Sequence, residues 1–156
     1  MMVKRLTNPL RERPVPLGSL LNAAGQRLSA ELDAALREAG FDDLRAAHAP
    51  LFTAIDADGT RVTELAQRAA MSKQAVGELV RHLETRGYVS VGVDPHDRRA
   101  KRVGLTERGW RVVDLGTAVI DEYDRWLAEA VGAEHVESLR GALDRIIAAP
   151  SRWPRR

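Results

Sequence analysis

The residues best suited to chemistry lie in one stretch, 60–110, and they are built for binding rather than bond-making. Lys73, Gln74 and Arg81 fall on one side of a helical run, with Ser72 at its start and Gly77 in its middle. Arg98, Arg99 and Lys101 follow about two dozen residues later, between two β-type runs, with Asp97 just before them. Arg and Lys neutralise phosphates, and a Gln amide can read an adenine edge. Asp97 is the wrong charge for a phosphate and suits a hydrogen bond to a wing arginine that fixes its direction. Gly77 costs roughly 1 kcal/mol against Ala in mid-helix. Either another surface, DNA included, comes close there, or Gly77 is a neutral surface position.

Catalytic patterns are missing. His48, His82, His96 and His135 are scattered, and no pair has a ligand spacing with carboxylates. There is no Gly-rich phosphate loop, nucleophile elbow or catalytic carboxylate pair, and no cysteine for a disulfide, a thiolate site or a redox switch. The expectation is a protein that is not an enzyme, with no cofactor and no metal. The N-terminal segment lacks an apolar targeting core, and no run approaches 18 apolar residues, so a cytoplasmic protein without a membrane partner is expected.

The elements that must position these groups are legible from periodicity. Ser72 is a good N-cap, and Val76, Leu79, Val80 and Leu83 make one apolar stripe, with Gly87 as the stop. His82 is placed with the outward residues. A shorter helix precedes it, capped by Thr63, with Val62, Leu65, Ala66 and Ala69 inward. Only Ala70 and Met71 separate the two, so the helices must cross, as in a helix-turn-helix. Val89, Val91 and Val93, then Val103 and Leu105, alternate as in half-buried strands. The segment between them, DPHDRRA, is read as a basic loop too long for a two-residue turn, suited to a minor groove. The fold class is mostly α with a small β-hairpin wing: a winged helix-turn-helix reader.

This stretch resembles the MarR family of bacterial transcription regulators. TELAQRAAMSKQAVGELVRHLETRGYV and DPHDRRAKRVGLTERG carry the resemblance, about a third of the chain. It implies that Ser72, Lys73, Gln74 and Gly77 face the groove, and that Asp97 and Arg99 are the family's wing pair, with Arg99 at the tip. It also implies a homodimer joined through N- and C-terminal helices, and a small-molecule effector pocket between those helices and the reader. Asn22, His48, Trp110 and Tyr123 lie on the elements that would line such a pocket. Two positions depart from the pattern: Ala70 stands where the family often has Gly, and His96 where many members carry a third charged wing residue.

The rest of the chain fits a dimeric reader. Residues 61–111 hold eleven Lys and Arg against six Asp and Glu, a net of +5 within a chain whose net charge is +2. The positive charge sits where the reader is. At 156 residues one domain is expected, spanning 1–156, with the reader at 60–110 and dimerisation helices at 17–40 and 107–149. A proline-containing arm covers 1–16, and a helix of about 23 residues follows, roughly 35 Å long. A second helix at 43–55 has Leu44, Ala47, Leu51, Phe52 and Ile55 inward and Pro50 as a kink. Arg61 and Val62 add a short strand beside the wing. Thr106 caps a helix to Val131 whose apolar residues, Trp110 to Val131, spread over more than one side. Gly132 breaks it. A last helix, 134–149, has Val136, Leu139, Leu143, Ile146 and Ile147 inward, before a basic tail. The expected function is a homodimeric, sequence-specific DNA-binding regulator, a repressor released by a small molecule, on a palindromic double-stranded operator. The alternative is a winged helix used only for protein contacts or dimerisation.

Overall fold

The computed structural model describes residues 13–95 and 97–149. The order is α1 (Leu17–Glu38), a 3₁₀ turn (Ala46–His48), α2 (Ala49–Ala54), β1 (Thr60–Arg61), α3 (Val62–Arg68), α4 (Lys73–Thr85), β2 (Val89–Asp94), β3 (Asp97–Leu105), α5 (Glu107–Val131) and α6 (Ala133–Ala148). The mostly helical winged-helix architecture is the one the sequence predicts. The parts of the arm and tail at 1–12 and 150–156 lie outside the described residues.

Three helices end by one device. The chain turns left-handed at Gly40 (φ 81°), Ala70 (φ 52°) and Gly87 (φ 72°). In each case the next amide reaches back five residues: Phe41 to the Leu36 carbonyl, Met71 to Ala66, Tyr88 to Leu83. These are Schellman caps, which satisfy carbonyls that the helix end leaves open. Glycine enters this conformation without strain, and Ala70 does not.

Two expectations about α2 are corrected. Pro50 is in the first turn of a six-residue helix, where a missing N–H costs nothing, so it opens the helix rather than kinking it. Ala47 is exposed, because the 3₁₀ turn there rotates it out of the stripe. The short strand begins one residue earlier than expected, at Thr60. It pairs antiparallel with β3, giving the order β1-β3-β2. The α3 cap is Arg61 backbone, and Thr63 lies inside the helix.

The chain divides into two compact units, residues 1–116 and 117–156. The first has a core of Leu44, Leu51, Leu65, Val76, Leu83, Tyr88 and Val103, all essentially inaccessible to solvent. Tyr88 is the polar member, and its hydroxyl donates to Asp43 at 2.6 Å and accepts from Arg108 at 2.9 Å. The Arg108 guanidinium lies 4.6 Å from the centre of the Tyr88 ring. Burial pushes the Tyr88 phenol up, and its bond to Asp43 adds to that. Thr106 joins β3 to α5: its hydroxyl donates to the Gly87 carbonyl at 2.6 Å and accepts the Gly109 N–H at 3.1 Å.

The second unit is an αα-hairpin, and none of its described residues is buried. Leu139, Ile146 and Ile147, expected inward, are exposed, as are Ile120, Trp126 and Val131 on α5. Val112, rather than its neighbour Val113, is the buried valine of α5. A two-helix hairpin has no second surface of its own to cover both of its apolar faces.

Candidate nucleic-acid interface

The face of α4 begins at a formed cap. The Ser72 hydroxyl accepts the Ala75 N–H at 3.1 Å, which leaves its own hydrogen for an outside acceptor. Lys73 and Gln74 are exposed on the first turn. Apart from its own helix backbone, none of the described residues comes within 4 Å of where a Gly77 side chain would start, so their packing does not demand that glycine. Arg81 is exposed and its Nε donates to the Gly77 carbonyl at 3.2 Å, holding the guanidinium along the helix.

Sequence reasoning missed Glu78. It is exposed one residue past Gly77 and accepts from Gln74 Nε2 at 3.1 Å. Its position on the same face, one turn beyond Gln74, was available from helical spacing alone. His82 is corrected. It is half-buried, its ring 5.9 Å from that of His48, and not part of the outward face.

The wing also differs from the long loop expected. β2 and β3 continue until Asp94 stands opposite Asp97, leaving only two positions, 95 and 96, between the strands. The extra length is absorbed inside β3. Register steps from Val93↔Lys101 to Asp94↔Asp97, so Arg98, Arg99 and Ala100 stand opposite no β2 residue. A bulge re-aims side chains, and this one carries two arginines. Arg98, Arg99 and Lys101 are all exposed. Asp97 Oδ1 accepts the main-chain N–H of Arg99 at 3.0 Å, so it fixes backbone rather than guanidinium. His96 lies outside the described residues.

Other cations of the segment hold the wing and helices in place. Arg61 Nε donates to the buried Asp94 carboxylate at 2.7 Å, which raises the Arg61 pKa. Arg102 donates to the Gly59 carbonyl at 2.5 Å and to Asp58 at 3.2 Å. Arg68 joins Asp56 at 2.8 Å and the Ala54 carbonyl at 3.1 Å, and that bond holds the Asp56 carboxyl below its usual range. Arg86 pairs with Asp43 at 3.2 Å. Charge counting alone does not separate these from Lys73, Arg81, Arg98, Arg99 and Lys101, which lie outside those pairs. Arg102, counted with the wing in the sequence, belongs to the wing's base.

Residues 42–100 match the family model described as MarR family. Over these residues the reader is similar to the MarR family. The match covers the crossed helices and the wing up to its bulge. The chain is also similar to a MarR-family transcriptional regulator from Rhodococcus sp. RHA1, at 26% identity over 85% of this chain and 96% of that one, with a TM-score of 0.66. CouR from Rhodococcus jostii RHA1, solved bound to p-coumaroyl-CoA, is 27% identical over 87% of this chain and 94% of its own, with a TM-score of 0.70. The fold is shared by Staphylococcus aureus MepR in its DNA complex, at 22% identity over 86% and 98% of the two chains and a TM-score of 0.72. No curated protein matches. The fold thus recurs in one protein solved with DNA and in another solved with p-coumaroyl-CoA. Among the described residues no helix is long and apolar enough to cross a membrane.

Proposed function

We propose that this chain is a homodimeric, sequence-specific DNA-binding transcription regulator that represses its target genes and is released by a small molecule. Residues 1–156 act as one MarR-like domain, with the reader at 60–110 and dimerisation helices at 17–40 and 107–149. The observation that carries the reading is the pairing of one exposed helix face with one exposed bulge. Ser72, Lys73, Gln74, Gly77 and Arg81 form the first, and Arg98, Arg99 and Lys101 the second. In this reading α4 enters a major groove. Lys73 and Arg81 contact phosphates, Gln74 reads a base edge, and the absent side chain of Gly77 lets the helix approach. The wing arginines enter the adjacent minor groove, where the potential is most negative.

The bare hairpin of α5 and α6 supports the dimer. Its exposed Ile120, Trp126, Leu139, Ile146 and Ile147 need a cover, and a second copy supplies a self-complementary one. A twofold dimer then reads two half-sites about one helical turn apart, a palindrome. The ligand-bound state of CouR supports an effector. Such an effector acts only through a difference in its affinity for the two reader spacings.

Selection of bound sequences from random duplex DNA, followed by the mass of the selected complex, tests this. The expected result is an inverted repeat occupied by two chains. Recovery of no motif would support instead a winged helix used for protein contacts.

A further inference from the structure

The two half-buried histidines of the first unit face each other from different elements. His48 closes the 3₁₀ turn before α2, and His82 lies in the last turn of α4. Their rings are 5.9 Å apart and tilted by 53°. Each uses Nδ1 as an acceptor. The Arg45 main-chain N–H donates to His48 Nδ1 at 3.2 Å, and Arg86 Nη1 lies 3.1 Å from His82 Nδ1. An amide N–H and a guanidinium offer only hydrogens, so neither Nδ1 can carry one. Both imidazoles are therefore neutral, with the proton on Nε2. His82 Nε2 is sealed from solvent and meets no hydrogen-bond partner among the described residues.

A metal bridging the two Nε2 atoms would require Nδ1–H on both rings, each opposite a fixed donor. That disfavours a metal site and leaves protonation as the chemistry available. A proton on either ring also lands on Nδ1, where it meets the Arg45 amide or the Arg86 guanidinium head-on. It must break that bond and turn the ring. The charged groups facing the pair are Arg45, Asp33 and Asp43 around His48, and Arg86 beside His82. Neither carboxylate is idle. Asp33 Oδ1 takes the Ala46 N–H at 2.6 Å, and Asp43 is shared between Tyr88 and Arg86. The α4 macrodipole favours a cation at His82, but Arg86 already occupies that end.

We infer that His48 and His82 form a proton-sensitive latch that holds the C-terminal turn of α4 in its reading position while both rings are neutral. Acidification opens it. His82 loses Arg86, the Arg86–Asp43–Tyr88 chain loses its orientation, and the end of the proposed recognition helix loosens. Burial, then the neighbouring His82 and Arg45, hold the His48 imidazole below its ordinary value, so the latch stays closed at neutral pH.

The DNA consequence rests on the function proposed above, and the latch itself does not. Amide hydrogen exchange, corrected for intrinsic rate, is followed for residues 81–88 at pH 7.5 and 5.5. The wild type is compared with His48→Gln/His82→Gln, or with His82→Gln alone if the double variant does not fold. The wild type should lose protection at pH 5.5 and the variant should not. Its affinity for a selected duplex should fall more between pH 7.5 and 5.5 than the variant's does. Equal protection in the two proteins at pH 5.5 overturns the latch. Absence of DNA binding at pH 7.5 counts against the proposed function, and the exchange result still decides the latch.

Discussion

The Asp94 carboxylate at the end of β2 accepts the Arg61 Nε–H at 2.7 Å, although β3 lies between the two strands. The contact spans the whole width of the sheet and anchors the turn end of β2 to the start of α3. Asp94 is 2% exposed and Arg61 43% exposed. Arg61→Ala removes the guanidinium from a carboxylate that stays buried. It should lower stability, because the buried carboxylate loses a charge-assisted hydrogen bond. Urea unfolding checks this as a lowered midpoint with unchanged slope. DNA affinity should fall without any change in the preferred sequence.

Ala70 adopts the left-handed conformation that glycine adopts at the same cap position of α1 and α4. Ala70→Gly removes that strain at some cost in unfolded-chain entropy. The expected net gain is about 0.5–1 kcal/mol. Ala70→Val should move the midpoint the other way. Equal midpoints for all three proteins would mean the turn is not held left-handed in solution.

Gly109 is buried in the first turn of α5, and a side chain there would fall on the Tyr88 carbonyl and press on Leu105. The Tyr88 carbonyl also accepts from Thr106, so neither backbone can yield without breaking the strand-to-helix join. Gly109→Ala should destabilise by about 3 kcal/mol or more, the level of overpacking against fixed backbone. Thermal unfolding followed by tryptophan fluorescence reads it.

Stability should fall with acid in two windows. His48 has a lowered pKa in the fold, so the unfolded chain binds its proton first. Its contribution is present above the unfolded value of 6.5 and is lost as pH drops below it toward the folded value. At Asp43, burial pushes the carboxyl up. The Tyr88 hydrogen bond, a backbone bond, and Arg108 and Arg86 outweigh it, and the net shift is downward. That contribution is present above 3.8 and is lost as pH falls through the lower folded value. Urea midpoints from pH 8 to 3 should show both steps, and His48→Gln should remove the first.

Local chemistry made much of this fold legible. Ser72, Gly87 and the stripe Val76, Leu79, Val80 and Leu83 each obey one short-range rule, and α4 came out as read. The wing did not. Loop length was inferred from the composition of DPHDRRA, but strand pairing extends to Asp94↔Asp97 and a bulge takes up the surplus. Register is a cross-strand property that a run of charges does not encode. Arg61, Arg68, Arg86 and Arg102 look the same in sequence as Arg98 and Arg99. Their carboxylates come from segments up to 44 residues away. Leu139, Ile146 and Ile147 do form an apolar face, but a face buried in its own chain and a face left exposed have the same periodicity. His82 was misplaced because its partner, His48, lies on another element.

The salt dependence of binding to a selected duplex tests the DNA reading most directly. Wild-type affinity should fall steeply and linearly on a log–log plot against salt, and a scrambled duplex should bind far more weakly. Lys73→Ala and Arg81→Ala should each flatten the slope by about one phosphate contact. Equal affinity for selected and scrambled duplexes, with a slope that neither substitution changes, would contradict it.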